Sequence, residues 1–431
     1  MAYWALGGEP RPIAPFHGHY HMSSTRSLLS RAAYWAAFGS AAAIIFSIAV
    51  SNILLVLALI LLLISGERLR LPPIRWQLGL FFLGTLISLL ASVQPSLANP
   101  QIRKFFCFLT LLTVFSTFRG LKDARLLVAV WSVLATASAI LSFLQFSNKM
   151  AAASRLGQNF YEYYVGERTT GFMSHWMTFG GQEMTVLLLL TGLLFFAALS
   201  TRLRIACGAM AVVMAIGIAL GLTRSIWLGT AGGGVYLLWH WKRWLILTAP
   251  VVVGVIFLVA PSSVRERLVS AFRPHGEVDS NMHRVVTWRT GVEMIKAHPL
   301  LGLGPEQVNR QFKKYVPADL PQPLPTGWYG HLHNIYLHYA AERGIPTMLM
   351  LVWMLVTIIW DFARAAARLP AGSDARFFLF GAAAAVIAIM ITGLFELNLG
   401  DSEVLIMFLA MVACGYTVVE EASAEGKTVN A

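Results

Sequence analysis

Long, uninterrupted apolar runs alternate along the chain with short breaks that carry Arg, Lys, Pro or Gly. The runs are continuous and do not alternate residue by residue, which predicts helices and excludes a β-barrel. Twelve runs approach the length of a membrane-crossing helix: 32–50, 52–65, 76–93, 104–118, 126–144, 183–200, 204–222, 225–240, 243–261, 345–361, 376–396 and 403–419. The second is short, and Ser51–Asn52 reads as either a turn between two spans or a kink. The expected fold is an all-α polytopic membrane protein of about 12 transmembrane helices. Its expected parts are a tail at 1–31, spans 1–9 over 32–261 with a loop at 145–182, a large helical loop at 262–344, spans 10–12 over 345–419, and a tail at 420–431.

Composition agrees with that frame. Of 431 residues, 57% are hydrophobic and 13% charged, against about a quarter charged in a soluble domain. A soluble enzyme with a single anchor is excluded. The first 30 residues do not read as a cleavable signal peptide. Cys107, Cys207 and Cys414 all sit within apolar runs, so none suggests an exposed disulfide.

The net charge of +12 changes meaning once it is placed on the spans. With a cytoplasmic N-terminus, roughly half of the Lys and Arg fall on cytoplasmic segments and few on short outer loops. Both termini then come out cytoplasmic. Most of the remaining basic residues lie in the long loop 262–344, which is long enough to carry function. The charge is therefore topological first, and no nucleic-acid partner is expected.

Within that loop, 283–297 reads as an amphipathic helix with Val285, Trp288, Val292 and Ile295 on its apolar face and Arg289–Glu293 as an i,i+4 pair. Pro299 ends it. Leu301 to Pro305 forms a turn, and Pro305 opens a second helix through Val308, Phe312 and Tyr315. An extended Pro317–Pro325 stretch follows, and Trp328 and Tyr329 suit a membrane interface. Asn334 is a good N-cap, Gly344 a natural helix end and Pro346 a restart. His333 thus sits at a helix start, where an anionic ligand is favoured.

His333-Asn334, nine residues, Gly344, two residues and Thr347 together resemble the signature of the O-antigen ligase family. Arg284-x-x-x-Trp288 and His298-Pro299-Leu300-Leu301-Gly302-Leu303-Gly304 resemble the loop shared by O-antigen ligases, O-antigen polymerases and protein O-oligosaccharyltransferases. Arg168-x-x-Gly171 and Thr223-Arg224-Ser225 resemble further short patterns, although the family more often has Ser before this Arg. The motifs span about 165–350.

The resemblance implies a metal-independent, GT-C-like glycosyltransferase of the bacterial inner membrane, active on its periplasmic face in lipopolysaccharide biosynthesis. It would transfer a polysaccharide from undecaprenyl pyrophosphate to a sugar hydroxyl of lipid A-core, as a monomer and without a cofactor. His333 would be the general base, and Arg168, Arg224 and Arg284 would bind the pyrophosphate, because guanidinium matches phosphate geometry and stays charged. Asn334, Trp288, His331 and His338 would support them. The alternatives are an O-antigen polymerase, a protein O-oligosaccharyltransferase or, from another class, a polyprenol-glycan transporter. Glu396 and Asp401-x-Glu403 form an acidic turn that would pair with Arg residues or orient His333, with a divalent-ion site as the other reading. His17-x-His19-x-His21 matches a metal-binding spacing in a tail, with no role expected.

Overall fold

A computed structural model describes residues 18–270, 280–320, 322–325 and 327–429. Among them there are helices and no strands. His17 lies outside the described residues, as do the side chains of His19 and His21.

Among the described residues, seven helices are long and apolar enough to cross a membrane: Ile48–Ser65, Leu121–Arg155, Trp176–Phe196, Thr201–Leu220, Ile335–Arg368, Ala375–Thr392 and Ser402–Ala424. Arg75–Ala91 and Phe106–Thr117 are shorter apolar helices. The runs expected at 32–50 and 225–240 lie on Gly18–Ala43 and Arg224–Lys242. The run at 243–261 holds a six-residue 3-10 helix, Arg243–Thr248, followed directly by the 11-residue α-helix Ala249–Val259.

The first two runs are separate helices, but the break falls at Ile44–Ser47 and not at Ser51–Asn52. Ser47 caps the second helix by accepting from the Val50 N–H at 3.3 Å. Ser51 lies inside it, and Ser40 and Ser51 exchange hydroxyl-to-carbonyl bonds that clamp the hairpin. The 35-residue helix Leu121–Arg155 overshoots its expected end at 144. At 1.5 Å per residue it is about 52 Å long, so its C-terminal part extends the bundle at one end.

Trp176–Phe196, Ala375–Thr392 and Ser402–Ala424 form the centre, each more than three-quarters buried, while Ile48–Ser65 and Thr201–Leu220 leave most of their surface outward. Ile53, Ile64, Ile205 and Val212 are exposed there, as a lipid-facing surface requires. Arg224–Lys242 packs closely on Ala375–Thr392 through Gly229 and Gly233, where a Cβ would come within 2.7 and 2.8 Å of the Ala388 and Ala384 carbonyls. Small residues four apart allow this approach.

One end of the bundle is tied by Arg70–Glu420, Arg125–Asp374 and the Glu421 carboxylate on the Leu121 N–H. At the other end the large loop folds around its own core of Val286, Met294, Leu303, Val308, Phe312, Leu320, Leu332 and Ala341. The helix Ser280–Ala297 buries Val286, Thr290, Gly291 and Met294, whereas Val285 and Val292 are exposed. The expected apolar face is therefore rotated, because Val285 and Trp288 line a cavity and do not enter the core. Arg289 pairs with Asp319, and Glu293 with Lys296, in place of the i,i+4 pair.

The helix Ile335–Arg368 kinks at Gly344, whose φ is 81°. The loop segment before Pro305 lies across the kink: Leu303 and Gly304 N–H groups donate to the Ala341 and Glu342 carbonyls at 2.8 Å, and the Ile345 N–H donates to the Pro299 carbonyl. A Cβ on Gly344 would fall 1.9 Å from the Leu300 carbonyl oxygen. The two sequence motifs at 298–304 and 333–347 thus form one packed unit.

Candidate active site

Asn334 starts the helix by accepting from the Tyr336 and Leu337 N–H groups at 2.9 Å, and its amide donates to the Leu394 carbonyl. Such a cap is worth about 1 kcal/mol, and here it also fixes the helix start against the turn 393–401. His333, just before the cap, has φ 46°. A left-handed conformation is costly for a residue with a Cβ and persists only where neighbours enforce it. Leu222 and Glu306 are the other non-glycine residues with positive φ among the described residues. Glu306 and His333 line the same cavity, and Leu222 directly precedes its wall residue Thr223.

His333 Nδ1 lies 3.1 Å from Glu396 Oε2, and the other carboxylate oxygen accepts from Arg284 at 2.6 Å. Arg284 Nε also donates to the Phe395 carbonyl at 3.3 Å. Burial opposes ionisation of Glu396, but the His333 hydrogen bond and the Arg284 charge outweigh it and hold the carboxyl down at about 2. A carboxylate on Nδ1 fixes the imidazole so that Nε2 is the ring nitrogen left for other partners. The Trp288 indole N–H donates to the His333 carbonyl at 3.4 Å.

Two neutral imidazoles flank His333. The His333 N–H donates to His331 Nδ1 at 3.2 Å, so that nitrogen must be unprotonated. Burial, then the nearby His333, lowers His331 to about 3. Burial likewise lowers His283 to about 4; its ring stacks on Tyr329 at 4.6 Å and meets His333 edge-on at 5.1 Å. His338, one turn into the helix, is buried 3.5 Å from Glu342 and also reaches the cavity.

The cavity has a volume of about 1030 Å³. His333, Arg168, Arg224 and Arg284 all line it, as do Trp288, His331 and His338, while Asn334 stands behind as the cap. Arg168 lies over the Trp176 ring at 5.2 Å and donates to Thr223, and its Nε is buried without a partner among the described residues. Desolvation, then repulsion from Arg267, lowers Arg168 to about 9, which leaves it cationic at neutral pH. Its backbone is set by Gly171, with φ 57° and N–H and C=O both held by Gln145. Arg224 begins its helix and donates to Asn281 at 2.6 Å. Arg284, by contrast, has its guanidinium committed to Glu396.

Several wall residues had no sequence signal. Arg267, on helix Ser262–Val269, holds the carbonyl of strained Leu222 at 3.0 Å. Gln101, Lys104 and Glu306 line the far wall. Only the tertiary fold brings these together. Asp401 accepts from Thr178 and from the Glu403 N–H, so it caps a helix. Among the described residues no three His, Cys, Asp or Glu side chains converge as a metal centre would need.

The arrangement presents a base-competent imidazole beside a wall of guanidinium groups, in a cavity of the size that holds a drug-sized ligand or a short glycan. Comparison with curated proteins returns no match. Residues 209–352, which run from the helix before Arg224 through the large loop to the kinked helix, match the family described as O-antigen ligase.

Proposed function

We propose that the protein transfers a polysaccharide from undecaprenyl pyrophosphate to a sugar hydroxyl of lipid A-core. Members of the family are glycosyltransferase-like membrane enzymes. The reading is supported above all by His333, held by Glu396, facing the same cavity as Arg168, Arg224 and Arg267. In the proposed topology of about 12 spans the cavity end faces the periplasm, and both termini are cytoplasmic.

The chemistry follows from the groups present. The acceptor O–H loses its proton to His333 Nε2 as its oxygen bonds to the anomeric carbon. The bond from that carbon to the pyrophosphate oxygen breaks, and its electron pair leaves with the lipid pyrophosphate. Arg168, Arg224 and Arg267 stabilise the charge that grows there. Glu396 keeps the imidazole oriented and stabilises the imidazolium, while Arg284 positions Glu396. The bond between the anomeric carbon and the pyrophosphate carries the energy, so no nucleotide enters the step. We assign Arg284 mainly to positioning, because its guanidinium already faces a carboxylate.

Reconstitution of the full chain with purified donor and lipid A-core tests the reading. The expected product is glycan-bearing lipid A-core. Donor chains that lengthen while lipid A-core stays unmodified would make it a polymerase, and donor translocation without transfer would make it a carrier.

A further inference from the structure

The cavity is chemically two-sided. Arg168 has Arg267, Arg284 and Glu396 as its electrostatic neighbours. Lys104 instead neighbours His338, Glu342 and Glu403. Contacts run in sequence from one side to the other: Arg284 to Glu396, Glu396 to His333, His333 to His331 at 4.1 Å between rings, and His331 to His338 at 6.4 Å. His333 therefore stands between the guanidinium wall and the Lys104 side.

The Lys104 side is a built surface. Glu306, with φ 63°, is held by its N–H on the Glu342 carboxylate at 2.7 Å and by Gln101 on its own carboxylate at 2.5 Å. Gln101 is in turn fixed by buried Arg343 at 2.8 Å. This strained residue presents a carboxylate to the cavity when a glycine would fit the backbone better. Lys104 is half-buried and lines the cavity, yet forms no hydrogen bond or ion pair among the described residues. A half-buried cation that has Glu342 and Glu403 as electrostatic neighbours but no ion pair at contact distance favours an anionic ligand.

In a single displacement the attacking hydroxyl and the leaving group stand on opposite faces of the anomeric carbon. With the pyrophosphate on the arginine wall, the acceptor enters from the side of His333 that faces away from it. We propose that Gln101, Lys104 and Glu306 form the acceptor subsite, and that the acceptor sugar carries a negative substituent received by Lys104. Glu306 and Gln101 then take up hydroxyls next to the nucleophile. The proposal rests on the glycan-transfer reading above and adds the substrate class to it.

The test is steady-state transfer by the full chain in liposomes, with undecaprenyl pyrophosphate glycan as donor and lipid A-core as acceptor. Lys104→Met is expected to raise the acceptor KM about tenfold or more and leave the donor KM within twofold. Lys104→Glu is expected to raise it further, because like charge repels the substituent. Glu306→Gln keeps the Gln101 contact and is expected to raise acceptor KM several-fold. Unchanged thermal unfolding in these variants separates binding from folding. Equal effects of Lys104→Met and Lys104→Glu would overturn the anionic acceptor. A donor KM that rises in place of the acceptor KM would overturn the subsite while leaving glycan transfer intact. Absence of transfer by the unaltered protein would instead remove the reading beneath it.

Discussion

Replacing Glu396 by Gln removes one charge at the point where the loop helix, the kinked helix and the turn 393–401 meet. The carboxylate faces His333 Nδ1 at 3.1 Å and Arg284 at 2.6 Å. When His333 takes the acceptor proton it becomes a cation beside Glu396. At an effective dielectric near 20, that contact is worth about 5 kcal/mol. Arg284 repels the same cation and the pair is partly wet, so about half survives, on the order of 2–3 kcal/mol. The transfer rate of Glu396→Gln should then fall about a hundredfold, with donor and acceptor KM changed little. The assay is single-turnover transfer with both substrates saturating, alongside thermal unfolding. Arg284→Gln should cost less alone, and adding it to Glu396→Gln should cost less than the sum, because both act through His333. A Glu396→Gln enzyme that keeps its fold and turns over within threefold of the parent would refute the assignment of Glu396 to imidazole orientation.

Other perturbations follow from the same geometry. Arg168→Ala and Arg224→Ala should each weaken donor binding about 10- to 100-fold, the value of a charge-assisted hydrogen bond, and leave acceptor KM unchanged in a competition assay. His331, His283 and Glu396 all have folded-state pKa values below their ordinary ones. The contribution of the two histidines is present above about pH 6.5 and is lost as pH falls toward about 3–4, and that of Glu396 is present above about pH 4.5 and is lost toward about 2. His331→Asn keeps an acceptor for the His333 N–H and should flatten the part of the acid-unfolding curve that begins near pH 6.5. Gly344→Ala combines a positive φ with a Cβ 1.9 Å from a carbonyl oxygen, and should cost more than about 3 kcal/mol, read as a lowered Tm or loss of folded protein.

Much of the scaffold was legible because lipid-facing and buried helices share one signal, a continuous apolar run. Asn334, Gly344 and Pro346 were legible for a local reason: a cap, a left-handed turn and a restart each have a residue preference. The hairpin break was displaced because the Ile44–Ser47 turn is itself mostly apolar, so only Ser47 marked it. The face of Ser280–Ala297 was misjudged for a related reason. Cavity-lining Val285 and Trp288 look like core, while the buried Thr290 and Gly291 look like surface, and Gly291 is needed where Leu332 packs. Long-range placement was out of reach. Glu396, 63 residues beyond His333, was named only within an acidic turn, and Lys104 and Arg267 sat on segments that read as ordinary loops or helix ends. Their role depends on which helices meet at one end of the bundle, and no local pattern encodes that.

The central claim is that His333 is the base, and its removal is the most direct test. In His333→Ala, with lipid-linked donor and glycolipid acceptor both saturating, the single-turnover rate should fall by about 10²–10⁴, while the donor Kd stays within threefold because the arginine wall is untouched. A rate near that of the parent protein, or a loss that appears entirely as weakened donor binding, would contradict the account.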